Sequence, residues 1–151
     1  MKTTKNLMHK KVITIRAEES LLEAYKIMKD KNIRHLPVVD INMRPIGILS
    51  DRDIQRAMVN KKISEFQTES HLPGDLTVSD FMSWPVYTIS HETSLSHAAK
   101  ILIQQKVSCL VVENSQGQIS GILTTEDLLG HLLDMIQQDE KKLFLPLSHY
   151  F

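Results

Sequence analysis

The feature that most constrains this chain is that its sequence runs through the same pattern twice. Met8 recurs as Met82, and a shift of 74 residues keeps the halves aligned without a gap from Thr3/Thr77 to Asp53/Asp127, with about a third of positions identical. VITIRAEESLLEAYKI falls on VYTISHETSLSHAAKI, and RPIGILSDRDI falls on QISGILTTEDL. Two copies are too few for a solenoid, which needs about three or more stacked repeats. They point instead to two similar units packed face to face about an approximate twofold axis. The whole chain, 151 residues, is about one domain's worth of sequence on the usual prior of roughly 100–200 residues.

Each copy reads as β-α-β-β-α, an α/β (α+β) unit. Val12–Ile15 and Val86–Ile89 are short β-type runs followed by polar turn residues. Leu21, Ala24, Tyr25 and Met28 then recur at helical spacing behind Ser20 and Glu23, the S-x-x-E pattern of a capping box. The second copy starts its helix at Ser94. Two strands joined by a turn follow in each: Leu36–Asp40 with Pro45–Leu49, and Ser108–Glu113 with Gln118–Leu123. A last helix is expected after Ser50 and after Thr124. These readings divide the chain into a first unit over 1–59, a linker over 60–75, a second unit over 76–140 and an apolar tail over 141–151. The linker assignment rests on the polar NKKISEFQTESHLPGD with its Pro73 and Gly74.

Composition mainly excludes. Eighteen basic and eighteen acidic residues cancel, which argues against a uniformly basic nucleic-acid binder. A single cysteine excludes an internal disulfide framework and a Cys-rich zinc site, and fits a reducing compartment. No apolar run approaches the roughly 18 residues of a membrane span, and no apolar stretch follows the basic start to make a secretion signal. A cytoplasmic location is the expectation. The charge is unevenly shared: residues 1–75 carry fourteen Lys and Arg against ten Asp and Glu, residues 76–151 four against eight, and all five arginines lie in the first copy. An anion site should favour that half, because Arg and Lys supply phosphate contacts. Attraction between opposite halves in a dimer explains the split equally well.

Two β-α-β-β-α units, each closing its second hairpin strand with Gly-hydrophobic-hydrophobic-Ser/Thr-x-x-Asp, resemble a tandem pair of cystathionine-β-synthase (CBS) domains. The stretches are GILSDRD (Gly47–Asp53) and GILTTED (Gly121–Asp127), and IRHLPVVD (Ile33–Asp40) is similar to that family's second strand. The resemblance covers roughly residues 3–140. It implies a Bateman module with two clefts related by the pseudo-twofold axis, holding adenosine compounds: AMP, ADP, ATP or S-adenosylmethionine. It also implies disk-like homodimers and a regulatory role toward a separate partner; since no catalytic constellation is found among the residues, no enzymatic activity and no required cofactor are expected.

By the same resemblance, Ser50 and Asp53 bind sugar and phosphate in a first site, and Thr124 and Asp127 do so in a second. The motif has a physical rationale: free backbone N–H groups and the positive end of a helix face an anion there. The same pattern is also an ordinary helix cap. Lys10, Lys11, Arg34, His35 and Arg52 could neutralise phosphates beside Ser50 and Asp53, and Ile15, Leu36, Pro37 and Val38 could present apolar and backbone groups to adenine. The second copy has Trp84-Pro85, Cys109 and Glu126 at corresponding places, so the first copy's site is the one favoured for a phosphorylated nucleotide. Seven histidines show no i, i+4 pair for a metal, and no nucleophile elbow, P-loop or GxGxxG occurs. The alternative reading is a ligand-free dimerisation or interaction protein, its clefts filled by side chains.

Overall fold

A computed structural model of the chain describes residues 2–65 and 67–143. The first copy contributes β1 (Ile15–Arg16), α1 (Leu21–Lys31), β2 (His35–Val39), β3 (Pro45–Ser50) and α2 (Asp51–Ala57). β4 (Val59–Ser64) and β5 (Gln67–His71) follow. The second copy contributes α3 (Val78–Phe81), β6 (Thr88–Ser90), α4 (Leu95–Gln105), β7 (Cys109–Glu113), β8 (Ile119–Thr124) and α5 (Thr125–Leu143). Each copy forms a three-stranded sheet, β1-β2-β3 or β6-β7-β8, in which the first strand is parallel to the second and the second antiparallel to the third. The expected pair of β-α-β-β-α units is what forms.

Local chemistry sets the element ends in matching places. Ser20 and Ser94 cap α1 and α4 by accepting from the backbone N–H groups of Glu23 and His97, at 3.0 and 3.2 Å. Both helices end on a left-handed residue, Asn32 and Lys106, again one repeat apart. Strand residues alternate by the period of two: Leu36, Val38 and Leu49 enter one core with Leu21, Ala24 and Met28, while Leu110, Val112 and Leu123 enter the other with Ala98 and Leu102.

The lead-in segments are exchanged. Thr4 donates its backbone N–H to the Thr93 carbonyl, and Lys5 to that of His91, so the start of the first copy is tied to the second. One repeat later, Val78 donates to Glu19 and Ser79 to Ala17, tying the second lead-in to the first copy. Gly121 and Gly47 make this possible. A Cβ at Gly121 would stand 2.5 Å from Met8 Sδ and 3.0 Å from the His9 carbonyl, and one at Gly47 would stand 2.7 Å from Met82 Sδ and 3.0 Å from the Ser83 carbonyl. Only glycine lets each lead-in lie this close to the opposite sheet.

That exchange corrects the expected first strands. Val12–Ile15 was expected as a strand, but only Ile15 and Arg16 pair with β2; Lys10–Thr14 are spent crossing from the His9–Ile122 bridge back to their own sheet. Val86–Ile89 shifts likewise to Thr88–Ser90. The segment expected as a plain linker over 60–75 instead carries most of the antiparallel β4–β5 hairpin, with Pro73 and Gly74 falling after its second strand. A ribbon can satisfy its backbone through its own ladder without the apolar alternation that would reveal it in sequence. Lys141–Leu143, read as the start of a tail, continue α5, and 144–151 lie outside the described residues.

Candidate functional site

A cleft of about 420 Å³ opens between the two units, within the roughly 300–1,000 Å³ range of small-molecule sites. One wall comes from the first copy: Lys11, Val12 and Ile13 of the crossing segment, Asn32 to His35 after α1, and Pro37 on β2. The other comes from the second copy: Ser108, Ile122, and Thr124 to Asp127 at the start of α5. His9, on the exchanged lead-in, completes it.

The motif at the floor is reciprocally bonded. Thr124 donates its backbone N–H to Asp127 Oδ2 at 2.8 Å, and Asp127 donates its own N–H to Thr124 Oγ1 at 3.2 Å. This leaves Asp127 Oδ1 to His9 Nε2 at 2.7 Å, on a ring whose side chain is 65% exposed. Asp127 stands at the N-terminus of the 19-residue α5, whose positive end favours an anion, although the Thr125 N–H is already donated to the Ser108 carbonyl at 3.0 Å. Across the cleft Arg34 Nη1 meets Glu126 Oε1 at 3.0 Å, with both side chains 69% exposed. Such an exposed pair is worth no more than about 1 kcal/mol. A ligand anion can draw Arg34 away at small cost.

His35 lies where the two units meet. Its Nε2 is 3.1 Å from Ser108 Oγ, and burial pulls its pKa below the ordinary 6.5, a pull opposed by the carboxylates of Asp51 and Glu126. Cys109 is buried on β7, and burial pushes its thiol well above the usual range, aided by the Asp127 carboxylate. That environment disfavours the thiolate needed for cysteine chemistry.

The residues singled out by sequence are thus regrouped. Lys11, Arg34, His35 and Pro37 share a cleft with Thr124 and Asp127, not with Ser50 and Asp53. The walls of this cleft belong to different copies, as a cleft between the two units requires. Leu36 is not a wall residue: it is fully buried in the first core with Val38 and Ile15, while Pro37 between them faces the cleft. Arg52 and Cys109 do not line it either. Ser50 and Asp53 form their own capping box, with Asp53 also held by Arg56. Sequence reasoning missed His9, Asn32 and Ser108 as wall residues. The 74-residue register pairs His9 with Ser83, but which sheet a lead-in packs on is a tertiary matter that a repeat alone does not encode.

Comparison with known proteins agrees with this architecture. The CBS domain family model matches residues 5–60 and 78–134. A CBS domain-containing protein of Dictyostelium discoideum is 31% identical over 134 residues, 88% of this chain and 92% of that protein. An uncharacterized 17.7 kDa protein of Acidianus ambivalens is 30% identical over 125 residues, 83% of this chain and 70% of its own length. The L-aspartate semialdehyde sulfurtransferase of Methanocaldococcus jannaschii is also 30% identical, but the match spans only 22% of that enzyme. Among solved structures, the CBS domain pair of protein MJ0100 in complex with 5′-methylthioadenosine and S-adenosyl-L-methionine superposes with a TM-score of 0.74 at 25% identity, covering 89% of this chain and 98% of that one. CBSX2 in complex with AMP, at 23% identity and a TM-score of 0.70, shares the fold over 89% of this chain and 98% of its own. Two family matches in tandem, over a duplicated fold with exchanged lead-ins, make this chain a member of the CBS domain family, carrying a pair of such domains.

Proposed function

We propose that the chain is a regulatory module, not an enzyme, which senses an adenosine-containing ligand in the cleft between its two units. The observation that carries this reading is the convergence on one cleft of the Thr124–Asp127 helix start with Lys11 and Arg34 of the opposite unit. Asp127 accepts from the ribose hydroxyls, the Thr124 hydroxyl and the positive end of α5 face sugar or phosphate, and Lys11 and Arg34 neutralise an anionic group. Ile13, Ile33 and Pro37 give the adenine ring an apolar wall. Methylthioadenosine and S-adenosylmethionine on the MJ0100 domain pair support this ligand class. AMP, ADP and ATP fit the cationic side of the cleft.

Occupancy ties the two walls together and is transmitted as a change in a homodimer, read by a separate partner protein. The dimer face we assign is α5, which buries none of its residues and exposes Leu129, Leu132, Leu133, Met135 and Ile136. Ligand shifts the arrangement only by as much as it prefers one arrangement over the other.

The test is thermal unfolding of ligand-stripped protein against AMP, ADP, ATP, S-adenosylmethionine and methylthioadenosine. At about a hundred times the dissociation constant, a ligand of the native state adds about 2.7 kcal/mol, or roughly 5–10 °C for a chain of this size. A selective shift is the expected result. No shift with any of the five contradicts the reading and leaves a ligand-free interaction module.

A further inference from the structure

We infer that the two Ser/Thr-x-x-Asp motifs are not equivalent: the first is closed by the chain's own Arg56, so the protein takes one adenosine ligand per chain, at Asp127. This rests on the proposed ligand class and goes beyond it by assigning a stoichiometry and the residue that sets it.

The closure is visible atom by atom. Asp53 Oδ2 accepts the backbone N–H of Ser50 at 2.7 Å and its hydroxyl at 2.9 Å, while Oδ1 is held in an ion pair by Arg56 Nη2. Both carboxylate oxygens are engaged, and the side chain is 7% exposed. A ribose hydroxyl reaching Asp53 must displace a guanidinium that is always charged and sits one turn along the same helix. The guanidinium is itself 67% exposed, so the closure rests on its permanent charge beside a carboxylate that is only 7% exposed.

One repeat on, the lock is missing. Gly130 occupies the position of Arg56, and a Cβ built there meets nothing within 4 Å. Asp127 has in its place the His9 ring, which comes from the exchanged lead-in and, unlike a guanidinium, carries no permanent charge. The cations are also asymmetric: Pro85 and Ser108 stand where Lys11 and Arg34 stand in the open cleft.

Isothermal titration of the full chain with AMP and with S-adenosylmethionine tests the inference. Wild type should bind one ligand per chain, and Arg56→Ala two. Arg56→Gln, which keeps the stem and helix propensity, should also bind two and guards against misfolding of the alanine variant. In wild type, Asp127→Asn should weaken binding at least tenfold and Asp53→Asn should leave it within about twofold. Two ligands on wild type, one on both Arg56 variants, or loss through Asp53→Asn alone would overturn the inference while leaving the ligand class standing. Binding of neither probe to wild type or variants would overturn the ligand class, and this inference with it.

Discussion

The two closing motifs of the repeat have nearly the same sequence and different situations. GILSDRD and GILTTED each end a strand and cap a helix, and each Asp accepts the backbone N–H of its own Ser or Thr, at 2.7 Å for Asp53 and 2.8 Å for Asp127. They differ in the second carboxylate oxygen. In the first copy it meets Arg56 of the same helix; in the second it meets His9, brought from the other end of the chain by the lead-in exchange. A local motif therefore fixes the cap, and its neighbours decide whether the cap is also a site.

The sharpest way to break this comparison is to remove each carboxylate. Asp127→Ala should cost ten- to a hundredfold in affinity for S-adenosylmethionine, as expected for losing a hydrogen bond to a charged group worth about 1.5–3 kcal/mol, and about 1 kcal/mol in stability through the cap. Asp53→Ala should do the reverse: about 1–2 kcal/mol of stability lost and affinity unchanged, since it removes the cap and leaves the Ser50 N–H without its acceptor. Denaturant melts with and without ligand read both quantities. Equal loss of affinity in both variants would erase the distinction.

Packing, unlike the sites, should be symmetric. Gly47→Ala and Gly121→Ala each push a methyl group against a methionine sulfur and a backbone carbonyl of the exchanged lead-in. Each should cost about 1–3 kcal/mol, the usual range for overpacking, with the Met8 and Met82 side chains absorbing part of the strain. A much smaller effect at one glycine, measured by urea unfolding, would show that one lead-in is held less firmly.

Charge should separate the ligands. Lys11→Ala is expected to weaken AMP binding severalfold and to leave uncharged methylthioadenosine unchanged, because only the phosphate needs the cation. Pro85→Lys, at the corresponding position of the other copy, should leave both affinities where they are.

How much of this was legible in the residues depends on the distance over which each feature is decided. The duplication, both hairpins and the helix starts at Ser50 and Thr124 follow from local pattern, and the structure places them within a residue or two of expectation. The grouping of the site does not. Arg34 precedes β2 of the first copy and His35 opens it, so adjacency in sequence suggests Ser50 and Asp53 as their companions; the Asp51 N–H does donate to the Arg34 carbonyl, at 3.0 Å. The open cleft lies on the other side, against Glu126 and Asp127. Within Leu36–Val38 the period of two sends the Leu36 and Val38 side chains to the core and brings Pro37 to the cleft. The β4–β5 ribbon was hidden by its polar composition.

The smallest effect expected is on pH. Burial lowers the His35 pKa from 6.5, so the unfolded chain takes up that proton more readily than the folded one. Stability contributed by the neutral ring is then present above about pH 6.5 and lost as pH falls below it. His35→Gln should flatten this slope between about pH 7.5 and 5.5, read as melting temperature against pH. The carboxylates of Asp51, Glu126 and Asp53 oppose the burial effect and keep the slope shallow.

The central claim, that the site is shared between the copies and centred on Asp127, is tested most directly by crystallising the chain with S-adenosylmethionine. The account predicts one ligand per chain, its ribose hydroxyls on Asp127 and its adenine between Ile13, Ile33 and Pro37. A ligand whose ribose lies on Asp53, with Arg56 turned away, would contradict it.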